Sequence, residues 1–161
     1  DGAAVPDPSR DLAKLAVVER HRGTGNVGVS FARGLGLARG AIASSVAHDS
    51  HNVVVAGCDD ASMETAVRRA AEIGGGIVVA HGAQVLAEVP LPVAGLMSNG
   101  RMEDVDAAER KANEAARALG TAVDHPFMTL AFLALPVIPE LKLTDKGLVD
   151  VTKFDFVSPI A

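Results

Sequence analysis

The chain has no tryptophan and no tyrosine, and five phenylalanines are its whole aromatic complement in 161 residues. That scarcity removes the stacking platforms that hold single-stranded nucleic acid and the aromatic anchors that dominate many protein interfaces. A single cysteine, Cys58, excludes an internal disulfide framework and every multi-cysteine zinc module. It fits a reducing compartment, so the cytoplasm is the expected location. No apolar run approaches the ~20 residues of a membrane span, and no charged-then-apolar leader opens the chain, so no membrane partner is expected. Positive charge is in the minority. Fifteen Lys and Arg against 20 Asp and Glu give a formal net charge of -5, without the basic footprint that binding nucleic acid requires. An initiator methionine is also missing, from which a piece cut from a longer polypeptide is expected.

What is present suits one globular domain: 48% apolar and 22% charged residues, in a length close to the common domain size of about 100 to 150. Residues 1–10, with Pro6 and Pro8, read as a linker or frayed N-terminus, leaving 11–161 as the domain. Leu12 to Glu19 suits either a short helix or a strand. Val27 to Phe31 alternates in the period of a half-buried strand, with Val27, Val29 and Phe31 on one face. Ala41-Ile42-Ala43 and Val53 to Ala56 read as strands, the second apolar enough to be covered on both faces. Asp59 or Asp60 caps a helix running to about Ile73, with Gly74 as its stop. Ile77 to Ala80 and Gln84 to Val89 form a hairpin turning at His81-Gly82, and a second helix runs from Ser98 or Asn99 to about Leu119. Phe127 to Leu135 reads as a short buried helix, and Leu141 to Asp150 as a strand, a turn and a strand. The expected fold class is α/β (α+β): a mixed, largely antiparallel sheet packed with two principal helices, and not a TIM barrel.

One polar segment interrupts the apolar runs. Ala43 to Asn52, ASSVAHDSHN, carries two of the five histidines, His48 and His51, with Asp49 between them and Ser44, Ser45 and Ser50 around them. A spacing of three puts both imidazoles on one side of a helical turn but splays them on a strand. A metal site needs three or four convergent ligands, which no second cluster in the chain obviously supplies. The same residues read equally as a polar corner whose side chains satisfy backbone groups. Without a Gly-x-Ser-x-Gly elbow there is no support for a hydrolase triad. Cys58, after a buried strand, reads first as a small core hydrophobe. Gly34-x-Gly36-x-x-x-Gly40 has its third glycine one residue late for a dinucleotide fingerprint, and its glycines suit a bend or a close approach of strands. His21 reads as part of a polar loop, His81 as part of a turn, and His125 as a residue at the start of the short helix.

Three longer blocks, GLGLARGAIASSVAHDSHNVVVAG, PLPVAGLMS and HPFMTLAFLALPVIPELKLTDKGLVDV, resemble the C-terminal domain of prokaryotic adenine deaminase, in the amidohydrolase superfamily. The resemblance spans about residues 25 to 157. It implies hydrolysis of adenine to hypoxanthine and ammonia by a metal-activated water, with manganese or iron as the divalent metal. It also implies that a barrel domain of the same enzyme, marked by His-x-His, holds most of the metal ligands. This chain contains no His-x-His, nor the ~250 residues that a (β/α)₈ barrel needs. Carried over by position, His48, Asp49 and His51 become candidate catalytic residues at the mouth of a shared active site. His48 and His51 become candidate additional metal ligands, and Ser45 and Ser50 candidate substrate contacts. The expected partners are adenine, the barrel domain and further copies of the same chain. A structural or oligomerisation role, or a free-standing purine- or metal-binding module, is the alternative.

Overall fold

The computed structural model describes residues 4–159. Strands β1 (Ala13–Val18), β2 (Val27–Ala32), β3 (Ala41–Ser44) and β4 (Val53–Gly57) precede helix α1 (Asp60–Glu72). The hairpin β5 (Gly76–His81) and β6 (Gln84–Pro90) leads to helices α2 (Met102–Ala118) and α3 (Pro126–Phe132). Strands β7 (Leu141–Thr144), β8 (Gly147–Asp150) and β9 (Asp155–Val157) follow. The first six strands make one sheet in the order β2-β1-β4-β3-β5-β6, the last three a second sheet, β7-β8-β9. Every ladder between these strands is antiparallel. The α+β class stands as expected and no barrel closes among the described residues, but the single mixed sheet expected is instead two sheets, both antiparallel throughout.

The central strands carry apolar side chains at consecutive positions because both faces of the sheet are covered. Leu15, Val17, Ile42, Val54, Ala56 and Val79 pack to one side against Leu119 at the end of α2, Leu130 of α3 and Leu143 of β7. Their neighbours in sequence, Ala16, Ala41, Ala43, Val55, Val78 and Ala80, face the other way onto Met63, Ala66 and Ala70 of α1. Period-2 alternation therefore survives as a choice between two apolar layers. The small residues are concentrated under α1, which lets the helix approach closely. Asp59 caps α1 by accepting from the Ser62 N–H at 2.7 Å.

Several local expectations shift. Leu12 to Glu19 resolves as strand β1. Val27 and Val29 share a face, but that face is exposed, and Gly28 and Ser30 are the buried residues of β2. The cause is the second sheet: a Cβ on Gly28 would stand 1.9 Å from the Thr144 carbonyl oxygen, so only glycine admits that crossing. The β5–β6 turn lies one residue later than expected, at Gly82-Ala83, because His81 still pairs with Gln84. Helix α2 starts at Met102 rather than near Ser98, whose hydroxyl accepts from the Gly100 N–H at 3.0 Å in a local turn. Within the expected N-terminal linker, residues 1–3 lie outside the described residues, while Asp7 and Leu12 bridge around a short 3₁₀ turn, Pro8–Arg10. Among the described residues no helix is long and apolar enough to cross a membrane.

Candidate functional site

The histidine segment is the connection from β3 to β4, crossing one end of the six-stranded sheet. Its first serines turn inward. Ser45 is fully buried, and its hydroxyl accepts from the Gly76 N–H at 2.7 Å and donates to the Gly95 carbonyl at 2.6 Å. That commitment takes Ser45 out of reach of a ligand, so the structure gives it a scaffold position rather than the expected substrate contact. Ser44 is also buried, and its oxygen accepts from the Val46 N–H at 3.0 Å. Beyond Ala47 the chain emerges, leaving His48, Asp49 and Ser50 exposed.

His51 closes the excursion in the left-handed region, with φ at 51°. A non-glycine residue holds such a backbone only when its surroundings fix it. Here the His51 N–H donates to the Ala47 carbonyl at 2.6 Å, and the Ala47 N–H donates back to His51 Nδ1 at 3.3 Å. With Nδ1 accepting, the neutral ring carries its proton on Nε2. Burial lowers the His51 pKa, and the neighbouring positive charges of His48 and Arg20 lower it further, so the neutral ring is favoured at neutral pH. The His48 ring meets the His51 ring edge-on with centroids 5.5 Å apart and lies 6.3 Å from the ring of Phe132.

Two residues from the β1–β2 loop grip the segment from behind. Arg20 Nε donates to the His51 carbonyl at 2.6 Å, and His21 Nε2 donates to the Ser50 carbonyl at 2.7 Å. In front, a groove of about 230 Å³ runs between the segment and α3, lined by Ser44, Val46, His48, Phe127, Met128 and Ala131 among others. It falls below the ~300 Å³ at which small-molecule pockets usually begin. A ligand seated there needs a further wall.

Among the described residues no three His, Cys, Asp or Glu side chains converge to hold an ion. His21 Nε2 is engaged by a carbonyl, and a metal on His51 Nε2 would require the proton on Nδ1, where it would face the Ala47 N–H. His48 and His51 therefore do not fit a self-contained manganese or iron site. What the segment offers instead is a neutral Nε2–H donor on His51 and an exposed imidazole on His48.

Other candidates separate from this corner. Cys58 donates to the Leu37 carbonyl at 3.3 Å, and burial raises its pKa, which suits a core thiol and not a nucleophile. The glycine-rich stretch has its Gly34 and Gly36 N–H groups taken by Asp11 at 2.8 Å each, so a carboxylate of the chain occupies the place a phosphate would need. His125 is the N-cap residue of α3 without a side-chain cap bond, and His81 ends β5. Asp145 accepts from Asn26 and Asn52, each at 3.3 Å, tying the β7–β8 turn to the same corner. Arg20 and His21 are the residues that sequence reasoning missed. The signal that could have found them is the β1–β4 pairing, which sets Val18 opposite Val53 and so places residues 19–21 beside residues 50–52.

The fold and the corner together define an α+β module that presents a histidine-bearing connection and, among the described residues, contains no closed barrel. The family model described as "Adenine deaminase C-terminal domain" matches residues 1–155, and the chain belongs to that family. Over 157 residues it is 62% identical to an adenine deaminase of Oleidesulfovibrio alaskensis, and over 158 residues 56% identical to one of Desulfatibacillum aliphaticivorans. An adenine deaminase of Brucella melitensis is 55% identical over 152 residues. These alignments cover 94–98% of this chain but only 26–28% of the relatives, so the chain spans about a quarter of their length.

Proposed function

We propose that this domain works as the C-terminal part of a cytoplasmic adenine deaminase, in which it closes the active-site mouth formed with a preceding barrel domain. The observation that carries the proposal is the near-complete match of the chain to proteins named adenine deaminase, of which it forms only a quarter. The geometry of the corner supports it. The shallow groove beside His48 lacks a wall, and the exposed apolar side chains of Met128 and Phe132 flank it, as a face that docks on the rest of a longer polypeptide would require.

The reaction is hydrolytic: water adds to the purine carbon bearing the amino group, the carbon–nitrogen bond breaks, and hypoxanthine and ammonia leave. Manganese or iron enters this proposal only as a cofactor of the barrel domain. The residues of this chain would handle protons and orientation. His51 donates a hydrogen bond from Nε2 to the purine, His48 takes up or delivers a proton at the departing nitrogen, and Asp49, next to His48 in the chain, assists that transfer. Ser50, exposed beside them, remains a candidate substrate contact.

In an enzyme joining this domain to its barrel, His48→Ala and His51→Ala are expected to lower kcat/KM for adenine by about 100-fold or more, the usual scale of a lost acid–base group. Near-normal turnover in both would sink the assignment. A second reading, assembly of copies through this domain, is favoured by a separate apolar groove lined by Ala16, Val18, Val27, Val55, Met63 and Val67. A strictly monomeric 161-residue chain at high concentration in sedimentation would argue against it.

A further inference from the structure

We infer that Glu19, Arg20 and His21 form a clamp that sets the position of the His48–His51 segment, with Arg20 as its central positioning residue. The importance of the clamp for turnover rests on the active-site reading above; its effect on the segment does not. Carbonyl oxygens in a connection between strands have no ladder partner, and two consecutive ones, those of Ser50 and His51, are met by two consecutive side chains, His21 and Arg20.

The clamp is itself rigid. The Glu19 carboxylate accepts from the N–H groups of His21 at 2.5 Å, Arg22 at 2.7 Å and Thr24 at 3.0 Å, and from the Thr24 hydroxyl at 3.1 Å. These bonds fix the turn that aims Arg20, so little freedom is lost when its guanidinium engages. Arg20 Nη2 also donates to the Ala94 carbonyl at 2.7 Å, and among the described residues Arg20 makes no ion pair. Its guanidinium lies flat on Gly95, where an added Cβ would come within 2.6–2.8 Å of Nη2, Cζ and Nη1. The Gly95 carbonyl is held in turn by Ser45. Three connections that are distant in sequence, around residues 20, 51 and 95, are thereby locked into one corner by a single side chain. An ångström of drift in a group positioned for reaction can cost about 100-fold in rate, which is why such a lock matters to catalysis.

Amide hydrogen exchange in the 161-residue chain tests the clamp directly. Arg20→Ala should speed exchange of the His51 amide by about tenfold or more, on the scale of the charge-assisted hydrogen bonds removed, while the Val54 and Val79 amides of the sheet hold their rates. Gly95→Ala, which displaces the guanidinium and leaves residues 48–51 themselves unaltered, should reproduce the effect at His51, with the Val54 and Val79 amides reporting any wider strain from an alanine at φ 73°. Millimolar guanidinium should slow exchange again in Arg20→Ala and leave the wild type unchanged, a rescue that general destabilisation would not show. If Arg20→Ala fails to fold, Arg20→Lys and His21→Ala carry the same comparison. An unchanged His51 amide in both the Arg20 and Gly95 variants overturns the inference. In the enzyme joined to its barrel, Arg20→Ala should lower kcat with partial recovery in guanidinium. Normal turnover in Arg20→Ala and His51→Ala alike, with faster His51 exchange, would keep the clamp and remove the active-site reading.

Discussion

Ser45→Ala separates a scaffold residue from a substrate contact. The substitution deletes one oxygen that serves two buried backbone groups, the Gly76 N–H and the Gly95 carbonyl. Water cannot easily take its place, because the corner is tight: a Cβ on Gly75 would lie 2.4 Å from the Gly95 Cα and 2.9 Å from the serine oxygen itself. An unsatisfied buried polar group costs about 1–3 kcal/mol, so the two together place the loss at about 2–6 kcal/mol. For a chain of this length a loss of 1 kcal/mol lowers the melting temperature by about 2–4 °C, which predicts a fall of about 4–24 °C. Thermal and urea unfolding of wild type, Ser45→Ala and Ser50→Ala measure it. Ser50 is exposed, and its alanine variant should stay within about 0.5 kcal/mol of wild type. The reasoning fails if Ser45→Ala melts within a degree or two of wild type while adenine turnover in the complete enzyme collapses. Ser45 would then be touching substrate, as its place in the sequence suggested.

Two further outcomes follow from the same corner and the core beside it. Glu19 is held down to about 2, chiefly by its hydrogen bond from the Thr24 N–H, against an ordinary value of 4.5. A depressed carboxylate contributes stability that is fully present above its ordinary pKa and is lost as pH falls from about 4.5 towards 2. Glu19→Gln should therefore flatten part of the acid slope of the urea midpoint measured between pH 6 and pH 2, and an identical slope in the two proteins would contradict this role. Leu119, 2% exposed between the end of α2 and the sheet, should cost about 2–5 kcal/mol on replacement by alanine. A loss below about 1 kcal/mol in urea unfolding would mean that the α2 end collapses into the gap.

Where local chemistry determines an element, the sequence displays it. Asp59, the apolar spacing of Met63, Ala66 and Ala70, and Gly74 mark α1 almost to the residue, because cap, stripe and stop are all properties of the chain itself. The β7–β8 hairpin is legible for the same reason. What escapes are features set by partners far along the chain. Val27 and Val29 look like a buried face by period alone, yet the second sheet crosses over Gly28, and its neighbours are turned outwards. Strand β9 has only three residues, too few for a periodic signal of its own.

The site divides in the same way. That ASSVAHDSHN joins two strands is visible in its flanking apolar runs. What those histidines can do is not local. The proton position on His51 is decided by the Ala47 N–H, the segment's position by Arg20 and His21, and Arg20's own position by a glycine 75 residues later. Nothing in a linear pattern of types distinguishes Arg20 from Arg22, although only Arg20 is aimed at a carbonyl of the segment. The antiparallel register of β1 against β4 makes that distinction, so the chemistry of the segment becomes readable only once the pairing of strands 35 residues apart, Val18 with Val53, is known.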